Sequence, residues 1–423
     1  MATPSSPAPG CPFHLDGSAS DIHGEADLLR AQGPAVQVQM PGGVTAWSVT
    51  DPGLIKRLLT DPRVSKDAYQ HWPDYIDGQV PAEWPLRVWV DVRNALTAYG
   101  SEHTRLRRLI GTAFTARRVR ALLPTIEVLT GGLLDAVDAA PTADGIIDLR
   151  ARFTFMLPLA VVNTLLGVPE DLHDAFREAL TGVFATDIPA DQAAVHAQTA
   201  YALLAQVVQA RRADPGDDVT SALIAAHDDE TGTKLSDQEL LDSIFLLIGA
   251  GHETTVNLLG HSIVNLLTHP DQLALVQQEK ASWNDAIEES LRHQAPIASI
   301  PLRYAVEDIH DTSTGATFRR GEPLLIHFAA AGRDPGIHGP NADAFDVTRP
   351  TRREHLAFGF GTHYCLGAEL ARIEARVALP ALFARFPQLH LALAASELKP
   401  LESFISNGHQ ALPVRLRAAP VEA

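Results

Sequence analysis

His355-Leu-Ala-Phe358-Gly-Phe-Gly361-Thr-His363-Tyr-Cys365-Leu-Gly367 places one of the chain's two cysteines in a glycine-rich loop. After Gly367 the pattern turns amphipathic. Leu370, Ile373 and Val377 fall on one face, while Glu369, Arg372 and Arg376 point elsewhere, so a helix is expected to start there. Cys365 then sits just ahead of a helix N-terminus, where unpaired backbone N–H groups and the helix dipole favour an anion such as a thiolate. Gly361 and Gly367 are expected to let the backbone bend and approach a flat group closely. A lone cysteine is ordinarily a small buried residue with no further task. Phe358, Gly361, Cys365 and Gly367 at these four spacings, however, should arise by chance in roughly one chain in a thousand.

The rest of the chain narrows the setting. It has 423 residues, 46% hydrophobic and 20% charged, which is globular composition and long enough to enclose a large ligand. Lys and Arg number 34 against 51 Asp and Glu, a net charge of −17 that argues against general affinity for nucleic acid or an anionic membrane. Cys11 and Cys365 form no disulfide framework, and a zinc site would need more thiols or clustered histidines. Scarce thiols suit a reducing compartment, so a cytoplasmic location is expected. Residues 1–10, rich in Ser, Pro and Ala, lack the pattern of a signal peptide and read as a disordered tail before a single domain over 11–423. No apolar run is long enough to span a membrane.

Helical patterns dominate the middle, with strands near Val36–Met40 and Thr45–Thr50 (a hairpin around Pro41-Gly42-Gly43) and over Leu302–Phe328, broken at Thr312–Gly315. The expected class is mainly α with small β-sheets, an α+β fold. Ser65–Gly100 is irregular and holds Trp72, Trp84 and Trp89; it reads equally as a binding loop or as a surface loop pinned by aromatics. The strongest helix runs over Asp237–Thr268, with a capping box at Ser236 and Glu239 and Pro270 beyond its end. Its centre, Ile244–Gly251, is apolar on every side and is expected to be buried. His252, Glu253, Thr254 and Thr255 follow. Polar groups in a buried helix are costly unless paired or used, and Gly249 and Gly251 each cost about 1 kcal/mol against Ala. Two broken local rules at one place mark a functional site, with a satisfied polar cluster as the plainer alternative.

Phe358–Gly367 resembles the haem-binding loop of the cytochrome P450 superfamily, in which a cysteine thiolate holds the haem iron. Three further motifs follow the same family. Ala250-Gly251-His252-Glu253-Thr254-Thr255 is similar to its oxygen-activation motif, Glu289-Ser290-Leu291-Arg292 to its Glu-x-x-Arg motif, and His103-Thr104-Arg105-Leu106-Arg107 to the helix that clamps a haem propionate. The likeness runs from about Cys11 to Leu416 and is nearest to the soluble bacterial, actinobacterial class. It implies haem b (iron protoporphyrin IX) with Cys365 as the metal ligand, and Phe358, Gly361, Gly367 and Ala250 against the ring. It also implies His103, Arg107, Arg303 and His363 at the propionates. Considered without the family, each of these four is a surface charge. Glu289 and Arg292 at i, i+3 are implied to form a buried structural network with Arg349 rather than a solvated bridge. His355 reads equally as a further contact or as a satisfied loop histidine.

The implied activity is monooxygenation, inserting one atom of O2 into a lipophilic steroid, terpenoid, fatty acid or polyketide as a hydroxyl or epoxide. Thr254 would hydrogen-bond the dioxygen and Glu253 would link it to a water relay; the family often has Asp where this chain has Glu253. Family analogy lines the substrate pocket with Val88–Val90, Phe245, Leu246, Gly249, Ile297–Ile300 and Phe404–Ser406, so that Val88, Ile297, Ile300 and Ile405 join the helix residues. No dinucleotide-binding motif appears, so electrons are expected from a separate ferredoxin and its nicotinamide-dependent ferredoxin reductase. Arg105, Arg107, Arg108, Arg117, Arg118, Arg120, Arg352 and Arg353 are candidates for an acidic ferredoxin to dock on. A haem-thiolate peroxygenase driven by hydrogen peroxide and a non-catalytic haem sensor are the alternatives.

Overall fold

The computed structural model describes residues 12–140, 144–183, 190–227 and 232–417. The expected tail, 1–10, and Cys11 lie outside them. The organising element is the helix Asp237–Thr268, whose 32 residues span roughly 48 Å. Ser236 and Glu239 form the reciprocal capping box, and Pro270 opens the next helix, Pro270–Gln277. Against the long helix pack Ala368–Arg385, Met156–Leu166, Trp283–His293, Ala190–Ala213 and the π-helical turn Arg150–Thr154.

The β structure is small. A six-stranded sheet has the spatial order Phe13–His14, Ala35–Gln39, Thr45–Val49, Pro323–His327, Ser299–Ala305, Val64–Ser65. The hairpin expected around Pro41-Gly42-Gly43 pairs Val36 with Ser48, and both glycines take positive φ, as the tight turn demands. Three-stranded and two-stranded sheets complete the β structure among the described residues. Ser65–Gly100 carries three short helices, Ala68–His71, Pro73–Ile76 and Val88–Asp91. Aromatics pin it: Trp72 is buried between Trp84, edge-on at 5.7 Å, and Tyr304, stacked at 5.4 Å.

One expectation needs correction. The centre of the long helix is not buried all round. Ser243, Ile244, Ile248, His252 and Glu253 are buried, but Leu246, Gly249 and Thr254 are only half-buried and Ala250 is exposed. Leu246, Ala250 and Thr254 are four residues apart and form one open stripe. An apolar run cannot by itself reveal that one face looks onto a ligand space instead of onto protein.

Candidate active site

The cysteine loop is closed by its own backbone. Cys365 N–H donates to Phe358 O at 2.9 Å, and Tyr364 N–H donates to Gly361 O at 3.0 Å. Gly359 and Gly361 have φ of 72° and 70°, where a side chain is strained. Gly361 is also forced by a close approach, because a Cβ there would lie 2.5 Å from Leu59 O. Its neighbour is therefore the helix Pro52–Thr60. Gly367 adopts φ −81°, open to any residue, so no bend requires glycine there; as the N-cap of Ala368–Arg385 it leaves space 3.9 Å from the sulfur. Burial pushes the Cys365 thiol up, against the opposing pull of the Gly367 and Ala368 N–H groups, Arg107 and Arg372. The helix N-terminus alone thus does not ionise the thiol, contrary to the simplest reading of the sequence. A bound metal ion would.

Cationic side chains gather at one edge of this loop. His103, on the helix Gly100–Ala113, lies with its ring centroid 4.1 Å from that of His363. Arg107, one turn on, donates to Tyr364 O. Arg303 sits where the register slips between Ile300 and Arg303, a bulge of the kind that re-aims a side chain. Burial pushes Arg303 down to about 10, and burial followed by the nearby Arg107 lowers His103. Burial, then Lys66, Arg303, His103 and Arg107, lowers His363, so both imidazoles are neutral at neutral pH. Lys66 was not singled out in the sequence. It is 5% exposed, and among the described residues it makes a long 3.5 Å donation to Pro301 O. His103 Nε2 and Arg303 Nη1 are buried without a hydrogen-bond partner among the described residues. Buried basic groups and orphaned donors that face no carboxylate among the described residues fit an acidic ligand, as two propionates would be. The signal for Lys66 was a lysine closing a short strand, too common to stand out without the fold.

On the long helix, Thr254 Oγ donates to Ala250 O at 2.6 Å. Its proton is thereby occupied and its lone pairs remain on the open stripe. Glu253 is 9% exposed and buried beside it. Asn257 Nδ2 donates to Glu253 Oε1 at 3.4 Å, Arg150 Nη2 stands 3.8 Å away, and Oε2 has no partner among the described residues. Burial raises the Glu253 pKa, with Arg150 and Asn257 opposing. His252 turns away, its Nε2 on Phe155 O at 3.1 Å.

Behind the loop lies a polar frame. Glu289 and Arg292, both 0% exposed, form a bidentate pair at 2.6 and 2.8 Å. Arg349 joins Glu289 at 3.3 Å, and the two arginines bind the carbonyls of Gly332, His338, Asn341, Ala342 and Ala344. A second centre was not foreseen in the sequence. Glu288 takes His355 Nε2 at 3.0 Å and Arg372 Nε at 2.6 Å, and the Arg372 guanidinium covers the Phe358 ring at 4.4 Å. His355 is thus the satisfied loop histidine of the two readings. Burial raises the Glu288 carboxyl, but His355 and Arg372 outweigh it and bring it down to about 2. A lowered folded-state pKa contributes stability that is full above about 4.5 and lost as pH falls toward 2, here about 3 kcal/mol. Glu288→Gln is expected to remove that increment at pH 7 and to flatten the acid limb of the denaturation midpoint between pH 5 and 2, as urea titrations at each pH would record.

Comparison with known proteins decides the family. The family model described as Cytochrome P450 matches residues 188–395. The chain is 42% identical over 410 residues to 2-hydroxy-5-methyl-1-naphthoate 7-hydroxylase of Streptomyces carzinostaticus, covering 96% of this chain and 98% of the relative. The chain belongs to the cytochrome P450 family.

Solved structures agree. CYP154A1 from Streptomyces coelicolor A3(2) superposes with a TM-score of 0.86 at 49% identity, covering 96% of this chain and all of that one. Testosterone-bound CYP154C4 from Streptomyces sp. ATCC 11861 gives 0.89 at 40% identity, over 96% and 99%. This P450 is therefore a monooxygenase whose cofactor is haem b, and the cation cluster and the orphaned donors above fit that group. Among the described residues no helix is long and apolar enough to cross a membrane.

The pocket residues named from the sequence are dispersed in character. Ile297 pairs with Ser406 in an isolated bridge and Ala298 N–H donates to Ile405 O at 2.7 Å, so these two segments meet. Ile297 and Ile300 are half-buried, whereas Ile405 is 3% exposed within the same apolar cluster as Val90, Leu302 and Phe404. Phe245 stacks on Tyr201 at 4.8 Å. Val88 lies in the helix Val88–Asp91, with its side chain outside the described residues. Several candidate docking arginines are engaged within the chain: Arg105 with Glu102 and Glu239, Arg118 with Asp217, and Arg352 with Asp285. Arg117, Arg120 and Arg353 are exposed.

Proposed function

We propose that this P450 hydroxylates or epoxidises a fused-ring lipophilic molecule, with Glu253 and Thr254 as its acid–alcohol pair and electrons from a separate ferredoxin and its reductase in the cytoplasm. The orientation of Thr254 carries the reading. Its hydroxyl proton is held by Ala250 O, so the oxygen presents an acceptor on the open stripe while Glu253 waits, buried, one residue earlier. Haem held by a thiolate supplies dioxygen activation and oxygen insertion. Cys365 is the proposed ligand, with Phe358, Gly361, Gly367 and Ala250 against the ring, and His103, Arg107, Arg303 and His363 take the propionates, as their clustering supports. Thr254 accepts a hydrogen bond at the distal side and keeps a proton donor in place there. Glu253, its pKa raised by burial, can hold a proton nearer neutrality than a free carboxyl and return it through Oε2.

Leu246, Gly249, Ile297 and Ile300 form the proposed pocket wall, joined by Val88, Phe245 and Ile405. The fused-ring preference follows the relatives: one is named for a naphthoate and another was solved with testosterone. For the ferredoxin, Arg120 borders a hollow of about 350 Å³ on the helix that follows Cys365, with Leu123, Ile373 and the ion pair of Arg376 and Glu369. That hollow offers an acidic partner both charge and apolar contact.

Testosterone serves as the probe. It is expected to shift the Soret band of the ferric protein, and Thr254→Ala is expected to keep that shift while product per electron falls about 10- to 100-fold and hydrogen peroxide rises in step. Turnover that is driven by hydrogen peroxide alone and indifferent to Thr254→Ala would sink the monooxygenase pair.

A further inference from the structure

One turn beyond Glu253, three segments enclose a small cavity: Val256, Asn257 and Gly260 from the long helix, Arg150 and Thr154 from the π-helical turn, and Gly408, His409 and Leu412 from the C-terminal loop. The space open to a water molecule's centre is about 10 Å³. One water needs roughly 10–15 Å³ of such space and two to four polar partners. Arg150 Nε, Thr154 Oγ1 and Asn257 Oδ1 are buried with no hydrogen-bond partner among the described residues. Thr154 and Asn257 are 0% and 2% exposed. Leaving three such atoms unpaired would cost the full desolvation of each.

The donor and acceptor set selects the occupant. Arg150 Nε only donates, Asn257 Oδ1 only accepts, and the Thr154 hydroxyl does either. A cation is repelled by the guanidinium, and an anion faces the wrong end of the Asn257 carbonyl dipole. Water satisfies all three. Gly408 preserves the space, since a Cβ there would lie 2.1 Å from Asn257 Oδ1. Both residues that reach Glu253 also line this cavity: Arg150 stands 3.8 Å from Glu253 Oε1 and Asn257 donates to it at 3.4 Å.

We propose that the cavity binds one structural water, which accepts from Arg150 Nε, donates to Asn257 Oδ1 and bonds Thr154 Oγ1, and that it positions the Glu253 carboxyl through Arg150 and Asn257. Thr154 is then a positioning residue, three contacts from the acid through the water and Arg150 or Asn257. The inference rests on the reading of Glu253 as the acid of the relay. The ionisable groups around it are Arg150 on the π-helical turn, His409 on the C-terminal loop and His252 on its own helix. Burial followed by Arg150 holds His409 down to about 4, and burial holds His252 at about 4, so Arg150 is the one charged neighbour of the three at neutral pH. Arg150 and Asn257 oppose the burial-driven rise of the Glu253 pKa, so freeing them lets it climb further.

The test uses the haem-loaded ferric protein. Thr154→Val keeps the shape and removes the hydroxyl, while Thr154→Ser keeps the hydroxyl. A crystal structure of the unaltered protein is expected to show one water within about 3.2 Å of all three atoms. Infrared titration, with the Glu253 band identified by its loss in Glu253→Gln, is expected to show the pKa rising about one unit in Thr154→Val and returning in Thr154→Ser. A dry cavity in the unaltered protein, or a Thr154→Val variant with an unmoved Glu253 band, overturns the proposal. The acid role is read separately, from the product-to-peroxide ratio of Glu253→Gln. An unchanged ratio there overturns the acid role, and a Thr154→Val shift beside it still supports the water-held carboxyl.

Discussion

Cys365→Ala protein, reduced and exposed to carbon monoxide, is expected to lack the red-shifted Soret band of a thiolate-ligated haem and to show no detectable oxygenation. Burial pushes the Cys365 thiol up while the N–H groups of Gly367 and Ala368, with Arg107 and Arg372, pull the other way. The site is therefore poised. The protein alone does not ionise the thiol, yet two backbone donors and two nearby guanidinium groups favour negative charge on the sulfur. A metal ion held by the proposed ligand would supply the remaining drive, since a coordinating thiol is deprotonated outright. Alanine would remove the proposed ligand and leave the donors without a target. The flanking loop is closed by backbone bonds that do not involve the sulfur, so the fold is expected to persist, with circular dichroism unchanged. A variant that retained the red-shifted band would show that some other group holds the iron.

Arg292→Ala is expected to destabilise the protein by about 3–5 kcal/mol, the cost of stranding a buried charge. Arg292 and Glu289 are both fully buried, and the guanidinium also satisfies carbonyls of Gly332, Ala342 and Ala344. Removing it leaves Glu289 with Arg349 at 3.3 Å and the Asp346 N–H at 2.9 Å, too little to replace a bidentate partner. Arg292→Lys is expected to recover little, because an ammonium cannot serve a carboxylate and three carbonyls in one plane. Urea denaturation midpoints would give the loss, and haem content after purification should fall with it. A variant within about 1 kcal/mol of the parent would mean that this buried pair contributes no more than a solvated bridge does.

Much of the fold was legible because local signals agreed with it. The capping box at Ser236 and Glu239, the turn at Gly42 and Gly43, and the proline at 270 each act within a few residues, so the sequence displays them whole. What stayed hidden depends on partners far along the chain. Glu288 reads as one more charge on a helix until it meets His355 and Arg372, 67 and 84 residues away. Gly361 reads as a loop glycine until Leu59 arrives against it. The open stripe at Leu246, Ala250 and Thr254 could not be told from a buried face, because a ligand and a protein neighbour ask for the same apolar residues. Lys66 failed for the opposite reason: its burial breaks a rule that becomes visible only once the fold is known.

The cluster of Lys66, Arg107 and Arg303 has a meaning for the life of the chain in the cell. Basic groups whose charged forms are disfavoured by burial, with no carboxylate beside them among the described residues, work against closing this edge of the molecule until an acidic guest arrives. Taking a single ion out of water costs several kcal/mol, a sizeable part of what holds a domain together. Newly made chains that meet no haem should then linger half-shut and be cleared by proteases, so that the amount of protein a culture yields would follow its supply of haem.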